Sequence, residues 1–338
     1  MFKFVILGAA HPHVLGIAHH ALTHAGAVLA GAYEPDPNCR QKAASTLGDV
    51  RFLDTPQQAL DAGAQLALIG ALPRDRAKLA REAVAAGVPA LVDKPLALTH
   101  QVLDQLIEAV QRHGKPVLTY YPFRGYPQLR AAKAALEAGR IGQLVRVFTS
   151  GPHKLNAPQR PDWHWTREGN GGALIDIGSH HVDLCCWFTG EEPVWISAVH
   201  ANLTQPDHPE FQDFAHATLR FPSGRLAHFE VDWLNPASTK SFGDSRIWLQ
   251  GSTGKIEIRL GDANTVHIWT EQAAQEPLEF SDYEDLADWS AKLMADLVAG
   301  RPTPISQEEV WRASRVSLAA FDSAQQQGQP VAPVAAAG

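Results

Sequence analysis

Hydrophobic positions in the first third of the chain form short runs of β-branched and aliphatic residues, which alternate with alanine-rich stretches of helical period. This alternation is typical of a parallel sheet covered by helices on both faces. The predicted strands are 3–7, 28–33, 66–69, 90–92 and 117–120, and the predicted helices are 14–24, 38–47, 56–61, 75–86 and 99–113. The pattern therefore predicts a doubly wound domain over residues 1–121.

Beyond residue 121 apolar and polar residues alternate with period two. Ala215, Ala217 and Leu219 share one side of a predicted strand, while His216 and Thr218 share the other. The run 227–233 repeats this pattern after a Pro-Ser-Gly turn, and 246–250 and 255–260 form another turn-linked pair. Helices are predicted at 128–138, 286–299 and 308–326, and a further segment spans 171–188. We expect an α+β domain with a large, open, mostly antiparallel sheet over residues 122–330, and a flexible tail at 331–338.

Composition excludes several classes of protein. The 338 residues are 45% hydrophobic, with 29 basic and 36 acidic side chains and a net charge of −7, so a disordered chain is excluded. Lys and Arg are scattered, which leaves no basic stripe for nucleic acid. No apolar run reaches the roughly 18 residues of a membrane span. Cys39, Cys185 and Cys186 form no CxxC pair, so we expect a cytoplasmic protein without a disulfide framework.

The turn after the first strand has the sequence Gly-Ala-Ala-His-Pro-His over residues 8–13. A dinucleotide-binding fold places a glycine turn and a helix N-terminus here, where they face a pyrophosphate. Gly8 occupies the tight-turn position, but Ala10 and His13 replace the second and third glycines, so an ordinary strand-to-helix turn is the alternative. Glu34 ends the second strand, where a carboxylate accepts ribose hydroxyls and repels a 2′-phosphate. This favours NAD over NADP, unless Glu34 is an exposed loop acid.

Two further pairs of residues are candidates for ligand binding or catalysis. Asp93 and Lys94 follow a buried strand at the carboxyl edge of the predicted sheet, where such folds place ligands. Asp176 and His180 are four residues apart and share a face if the segment is helical. Taken alone, a lysine at such a position is usually solvated, and an Asp and a His at this spacing more often form a structural hydrogen bond.

Taken in order, these motifs resemble the Gfo/Idh/MocA family, the oxidoreductases grouped with glucose-fructose oxidoreductase and inositol dehydrogenase. The resemblance covers nearly the whole chain. It comprises the glycine turn, Asp93-Lys94-Pro95, Ala138-Gly139-Arg140-Ile141-Gly142, Gly171-Gly172-Ala173-Leu174-Ile175-Asp176-Ile177-Gly178-Ser179-His180, and Gly300-Arg301-Pro302.

The resemblance implies an N-terminal Rossmann domain and a C-terminal α/β domain whose open sheet joins subunits into a homodimer or homotetramer. It implies an NAD(P)-dependent oxidoreductase that acts on a secondary alcohol or ketone of a sugar, cyclitol or related polyol. Lys94, Asp176 and His180 fall on the catalytic positions. The implied cofactor-binding residues are Gly8, Ala9, Ala10, His11, His13, Glu34, Pro73, Asp93 and Lys94.

The chain departs from the family pattern in two stretches. Residues 72–77 keep Pro73 of a Thr-Pro-Asn-x-x-His motif but none of its polar residues, and residues 121–127 keep only Arg124 and Pro127 of an Asn-Arg-Arg-Phe run. Arg124 remains a candidate substrate-binding residue. His153, Trp163 and His164 lie in loops rich in aromatic and imidazole rings and are candidates for a sugar-binding wall, with core packing as the alternative.

Three other functions remain open from the sequence. An NAD-using glycosidase oxidises its sugar transiently and shows no net cofactor turnover. A non-catalytic dinucleotide-binding sensor fits the weakened glycine turn, although Lys94, Asp176 and His180 disfavour it. A metal site at Asp176, His180 and His181 is the weakest alternative, because adjacent helical side chains point about 100° apart. We therefore expect no metal.

Overall fold

The computed structural model describes residues 1–333, which divide into two units. The first unit comprises Met1–Pro122 and Asp285–Trp311, and the second comprises Phe123–Glu284 and residues 312–333. The strands are β1 (Lys3–Leu7), β2 (Val28–Tyr33), β3 (Phe52–Leu53), β4 (Leu66–Ile69), β5 (Ala90–Asp93), β6 (Val117–Tyr120), β7 (Leu144–Pro152), β8 (Trp195–Ala201), β9 (Phe214–Arg220), β10 (Leu226–Asp232), β11 (Ser245–Gly251), β12 (Gly254–Leu260), β13 (Thr265–Thr270) and β14 (Glu276–Pro277). The helices are α1 (Pro12–His24), α2 (Pro37–Leu47), α3 (Pro56–Leu60), α4 (Pro73–Ala85), α5 (His100–His113), α6 (Pro127–Glu137), α7 (Arg167–Asn170), α8 (Ala173–Asp176), α9 (Gly178–Thr189), α10 (Leu286–Val298) and α11 (Gln307–Gln325).

The first unit contains a parallel sheet of six strands in the order β3-β2-β1-β4-β5-β6. The five predicted strands are confirmed, and β3 was missed because its two residues are too few to show a period. Helices begin where capping chemistry permits. Thr55 forms a reciprocal capping box with Gln58 at α3, and Thr99 accepts the Val102 N–H at α5. The doubly wound domain predicted from the sequence is therefore present.

Helix α10 belongs to the first unit, where it packs against α1. The prediction of two consecutive domains, 1–121 and 122–330, had included this segment in the second domain. Periodicity identifies a helix but not the sheet it covers, so the sequence pattern contained no signal for this return of the chain.

The second unit contains an eight-stranded sheet in the order β14-β13-β12-β11-β7-β10-β9-β8. Only β7 and β10 pair in parallel; the other neighbours among the described strands are antiparallel. Ala215, Ala217 and Leu219 are fully buried, whereas His216 and Thr218 are half-buried. Helix α9 packs against β7 and β10. The predicted mostly antiparallel sheet with one polar face is thus confirmed.

Two predicted segments differ in detail. The segment 171–188 contains two helices, α8 and α9, with a turn at Ile177 between them. In the expected tail, Val331 forms a bridge with Ile196 and is therefore ordered, while residues 334–338 lie outside the described residues. No helix among residues 1–333 combines the length and the apolar character that crossing a membrane requires.

Candidate functional site

Gly8 forms a tight turn at the carboxyl end of β1. Its φ is +80°, and a Cβ atom at this position would lie 2.4 Å from the Cβ of Ala71. Its N–H donates to the carbonyl of Tyr33 at 2.7 Å. Only glycine satisfies both the backbone conformation and the close approach. The turn is therefore the glycine turn of a dinucleotide-binding fold, although the later glycines of the motif are absent.

The N-terminus of α1 follows this turn, and neither a capping side chain nor an acidic residue in the first turn offsets the partial positive charge of its backbone N–H groups. His11 occupies the N-cap without a side-chain hydrogen bond to those amides, Pro12 is the first helical residue, and the first turn contains no acidic side chain. A helix start of this kind has partial positive charge and exposed N–H donors. It is suited to an anion such as a pyrophosphate.

Glu34 lies directly against the glycine turn. Its Oε2 accepts the Ala9 N–H at 2.5 Å, its Oε1 accepts the Asp36 N–H at 2.8 Å, and the residue is 3% exposed. Burial raises the pKa of this carboxyl, while the two backbone N–H donors oppose the rise. Glu34 is therefore part of the turn and not an exposed loop acid, which removes the alternative explanation.

Asp93, at the end of β5, is the centre of a buried polar cluster. Its oxygens lie 2.6 Å from His11 Nδ1, 3.0 Å from His13 Nδ1 and 2.9 Å from the Lys94 N–H. Burial alone would raise the pKa of Asp93, but His11, His13 and Arg76 outweigh burial and hold that pKa well below its ordinary value. Asp93 consequently joins the glycine turn to the segment that carries Lys94.

Arg76, on α4, completes this cluster and was missed from the sequence. Its side chain is 1% exposed, and Nη2 lies 3.5 Å from Asp93 Oδ2. Nε donates to the Ala71 carbonyl at 2.8 Å, and Nη1 donates to the Lys94 carbonyl. The signal was available, because an arginine that follows the carboxyl end of a buried strand faces the ligand edge of the sheet. Arg76 thereby fixes the main chain around Lys94.

His11, His13 and Asp93 also have the donor atoms of a metal site, all within 4.8 Å of one another. However, Arg76 lies 3.5 Å from Asp93, Lys94 is adjacent in sequence, and the positive end of α1 starts at His11. This concentration of positive charge disfavours a divalent cation and favours an anion.

In the second unit, Asp176 and His180 lie on either side of the turn between α8 and α9. Asp176 Oδ2 accepts a hydrogen bond from Asn170 Nδ2 at 3.3 Å, and the same Nδ2 lies 3.4 Å from His164 Nδ1. His180 is 4% exposed and stacks on Phe123 with ring centroids 5.1 Å apart. Both predicted catalytic side chains thus contact neighbouring side chains, Asn170 for Asp176 and Phe123 for His180.

His181 has a different environment from His180. Its Nδ1 lies 2.8 Å from Thr149 Oγ1, and burial lowers the pKa of its imidazole to about 3. A Cβ on Gly151 would lie 2.1 Å from His181 Nε2, so the ring packs against strand β7. His181 therefore stays neutral near pH 7 and is poorly suited to proton exchange.

Arg124 makes a buried ion pair. Nε and Nη2 donate to the two Asp183 oxygens at 2.8 and 2.7 Å, and the guanidinium lies over the ring of Trp187 at 5.3 Å. The two-point ion pair with Asp183 and the contact with the Trp187 ring give Arg124 a structural role. We therefore withdraw Arg124 from the proposed substrate contacts.

The loop residues predicted as a sugar-binding wall enter an aromatic cluster around Trp233. The His153 and His164 rings lie 5.6 and 5.2 Å from the Trp233 ring. His164 is 2% exposed, so packing within the unit explains its position, whereas His153 and Trp163 are half-buried. Arg160 lies over the same Trp233 ring at 4.8 Å and was not predicted.

Comparison with known proteins agrees with both units. Residues 2–121 match an oxidoreductase family with an NAD-binding Rossmann fold, and residues 129–257 match the Gfo/Idh/MocA C-terminal domain. The chain belongs to the Gfo/Idh/MocA family. The expected family, its two-part fold and an NAD(P)-dependent oxidoreductase activity are therefore confirmed.

Several relatives have named activities. The chain is 27% identical over 310 residues to a myo-inositol dehydrogenase of Streptomyces leeuwenhoekii, covering 89% of this chain and 91% of the relative. It is 27% identical over 257 residues to inositol 2-dehydrogenase 2 of Saccharopolyspora erythraea, covering 75% and 70%. A solved structure of a candidate oxidoreductase from Erwinia carotovora atroseptica is 29% identical with a TM-score of 0.88, covering 96% and 99%.

Proposed function

We propose that the protein transfers a hydride between NAD and a secondary alcohol, or the matching ketone, of a sugar, cyclitol or related polyol. The observation that carries the choice of NAD is the contact between the Ala9 N–H and Glu34 Oε2. It puts a carboxylate at the turn where the adenosine ribose of a dinucleotide lies in this fold. A 2′-phosphate would bring negative charge against that carboxylate, which favours NAD over NADP.

The first unit has the residues that fit a dinucleotide. The Gly8 turn, the amides at the start of α1 and Glu34 would hold the pyrophosphate and the ribose. Ala9, Ala10, His11, His13, Pro73 and Asp93 remain proposed contacts on this cofactor side. When bound, the nicotinamide supplies the hydride chemistry.

The chain's own residues supply charge and proton transfer. Lys94 stabilises negative charge that develops on the substrate oxygen, as a preorganised cation does at an oxyanion. His180 takes the hydroxyl proton in oxidation and returns it in reduction. Asp176, held by Asn170, orients the imidazole of His180. His153 and Trp163 are the proposed substrate contacts that stay half-buried.

The test follows nicotinamide absorbance with NAD and NADP against sugars, inositols, polyols and their keto forms. Steady turnover with NAD is expected, and Lys94→Ala should abolish most of it. Glycoside cleavage without net NADH formation would indicate the glycosidase alternative. Dinucleotide binding with no turnover on any compound would indicate a sensor.

We also propose that the protein forms a homodimer or homotetramer through the polar face of the second unit's sheet. His216, Thr218 and His228 line this face, and Thr218 Oγ1 lies 3.1 Å from His228 Nδ1. Such a half-buried surface is suited to a symmetric contact between identical sheets. Light scattering should give a mass of at least twice 36.7 kDa at micromolar concentration. The cytoplasmic location, inferred from the cysteine pattern, stays a prediction.

A further inference from the structure

Arg160 has an unusual environment for a charged side chain in the second unit. Its guanidinium carbon lies 4.8 Å from the ring centre of Trp233 and 5.9 Å from that of Phe242. Nε donates to the Leu155 carbonyl at 2.6 Å, and Nη2 donates to the Lys154 carbonyl at 3.1 Å. Two backbone carbonyls and two aromatic rings therefore fix the position of this cation.

None of the ion pairs found among residues 1–333 includes Arg160. Other arginines of the same unit have one: Arg124 pairs with Asp183, and Arg315 pairs with Glu192 at 3.3 Å. Arg160 is half-buried, and this burial lowers the pKa of its guanidinium. A partly desolvated cation that makes no direct ion pair costs free energy, and an anion that binds to it offsets this cost.

The guanidinium retains hydrogen-bond donors for such an anion. Arginine has five N–H donors, and the two backbone carbonyls use two of them. Three N–H donors therefore remain for a ligand while the guanidinium contacts the Trp233 ring. The planar edge of a guanidinium matches a carboxylate in a two-point contact.

Arg160 also lies near the proposed catalytic acid. Asp176 is the acid whose charge partly opposes the lowering of the pKa of Arg160. Asp176 is in turn held by Asn170, which contacts His164 beside Trp233. One connected cluster therefore contains Arg160, Trp233 and Asp176.

We propose that Arg160 binds the carboxylate of the substrate, so that the substrate is a polyhydroxy acid such as a uronate or an aldonate. This assignment rests on the proposed function, because it names the substrate class of that reaction. A single guanidinium balances one carboxylate charge. A phosphate dianion would need a second cation, and Lys154 Nζ already donates to the Thr239 carbonyl.

The test compares matched acids and neutral analogues on the full-length protein without cofactor. Isothermal titration is carried out with D-glucuronate and D-glucose, D-galacturonate and D-galactose, and D-gluconate and D-glucitol. At least one acid should bind the wild type about 10–100-fold more tightly than its neutral partner, the range for hydrogen bonds to a charged group. Arg160→Gln should remove this preference, and Arg160→Lys should retain part of it.

The matched control is Arg220→Gln, which removes an exposed arginine of the same unit. It should leave the preference for the acid within about twofold, because a screened surface charge contributes little. Thermal unfolding of each variant shows whether it folds. If Arg160→Gln does not fold, Arg160→Lys decides the result.

Three outcomes would overturn the proposal: no acid preferred by the wild type, an equal loss of acid and neutral ligands in Arg160→Gln, or stronger binding of D-glucose 6-phosphate than of every acid. The failure of the proposed function has a separate signature. In that case an acid binds through Arg160, but no compound of the panel supports NADH formation.

Discussion

Arg76 Nη2 lies 3.5 Å from Asp93 Oδ2, and both side chains are almost completely buried. The same guanidinium donates to the Lys94 carbonyl, so one arginine contacts both the carboxylate and the main chain next to the proposed catalytic lysine. Since the pair is buried, its charges persist only because they compensate each other. Arg76 is therefore a positioning residue for Lys94.

The first prediction concerns Arg76→Lys. Lysine keeps the charge but cannot contact Asp93 and several carbonyls at once, so Lys94 should lose its position. We expect turnover to fall by up to about 100-fold, the cost of a misplacement of about 1 Å, with a smaller change in KM for NAD. Arg74→Lys, on the exposed side of α4, is the control. Equal kcat values for the wild type and Arg76→Lys would refute the positioning role.

The second prediction concerns cofactor choice. Glu34→Ser removes the carboxylate at the glycine turn, so the preference for NAD over NADP should shrink by roughly 1–3 kcal/mol. Glu34→Gln keeps an oxygen that can accept the Ala9 N–H but loses the charge. It should therefore show how much of the preference is electrostatic. Dissociation constants for both cofactors measure the effect, and identical ratios in all three proteins would remove Glu34 from the ribose site.

The third prediction concerns Lys94. Lys94→Ala should lower turnover by roughly 10²–10³-fold, the loss found for one oxyanion donor. The affinity for NAD should change much less. The substitution removes only the side chain of Lys94, and Arg76 still holds the main chain of this segment through the carbonyl of residue 94. Titration of NAD into the variant separates the two roles. A collapse of NAD affinity would instead make Lys94 a cofactor anchor.

The fourth prediction concerns the pH dependence of stability. In the folded protein burial lowers the pKa of His181 to about 3, against 6.5 for a free imidazole. Between these values the unfolded state binds more protons, so the free energy of unfolding should fall as pH falls from about 6.5 toward 3. His181→Gln should remove up to about 1.4 kcal/mol per pH unit of this slope.

Urea unfolding between pH 7 and pH 4.5 measures that slope. His113→Gln is the control, since His113 is exposed at the end of α5. It should leave the slope unchanged. Parallel stability curves for the wild type and His181→Gln would show that His181 is accessible to protons in the folded state.

The sequence was sufficient for the parts of the fold that depend on local pattern. The strands of the first unit and the alternation in β9 and β10 follow from side-chain periods of 3.6 and 2. The location of Glu34 beside the glycine turn could be predicted, because a residue that follows a parallel strand lies at the carboxyl edge of the sheet. In each case the sequence pattern that permits the prediction lies in the same strand or helix as the residue, or in the one next to it.

The contacts that the sequence did not reveal are between residues far apart in the chain. Arg124 was predicted to bind substrate, but Asp183, 59 residues later, accepts hydrogen bonds from its Nε and Nη2. Arg76 reaches the carbonyl of Lys94, 18 residues away, across the helix-to-strand connection. Arg160 stands out because none of the ion pairs among the described residues includes it, and pairing is a property of the folded chain.

The last prediction tests the proton carrier. Oxidation of an alcohol releases a proton as the hydride leaves, and an imidazole that can change charge near neutrality is suited to accept it. His181 is bound to Thr149 and has a pKa of about 3, so it cannot hold that proton at pH 7. His180→Ala should therefore cost roughly 10²–10⁴-fold in turnover, whereas His181→Gln should change turnover far less once stability is matched. Under the proposed mechanism, in which the Asp176 carboxylate orients His180, Asp176→Asn should slow the reaction and shift its pH profile. A larger loss in His181→Gln than in His180→Ala would identify the other imidazole as the proton carrier.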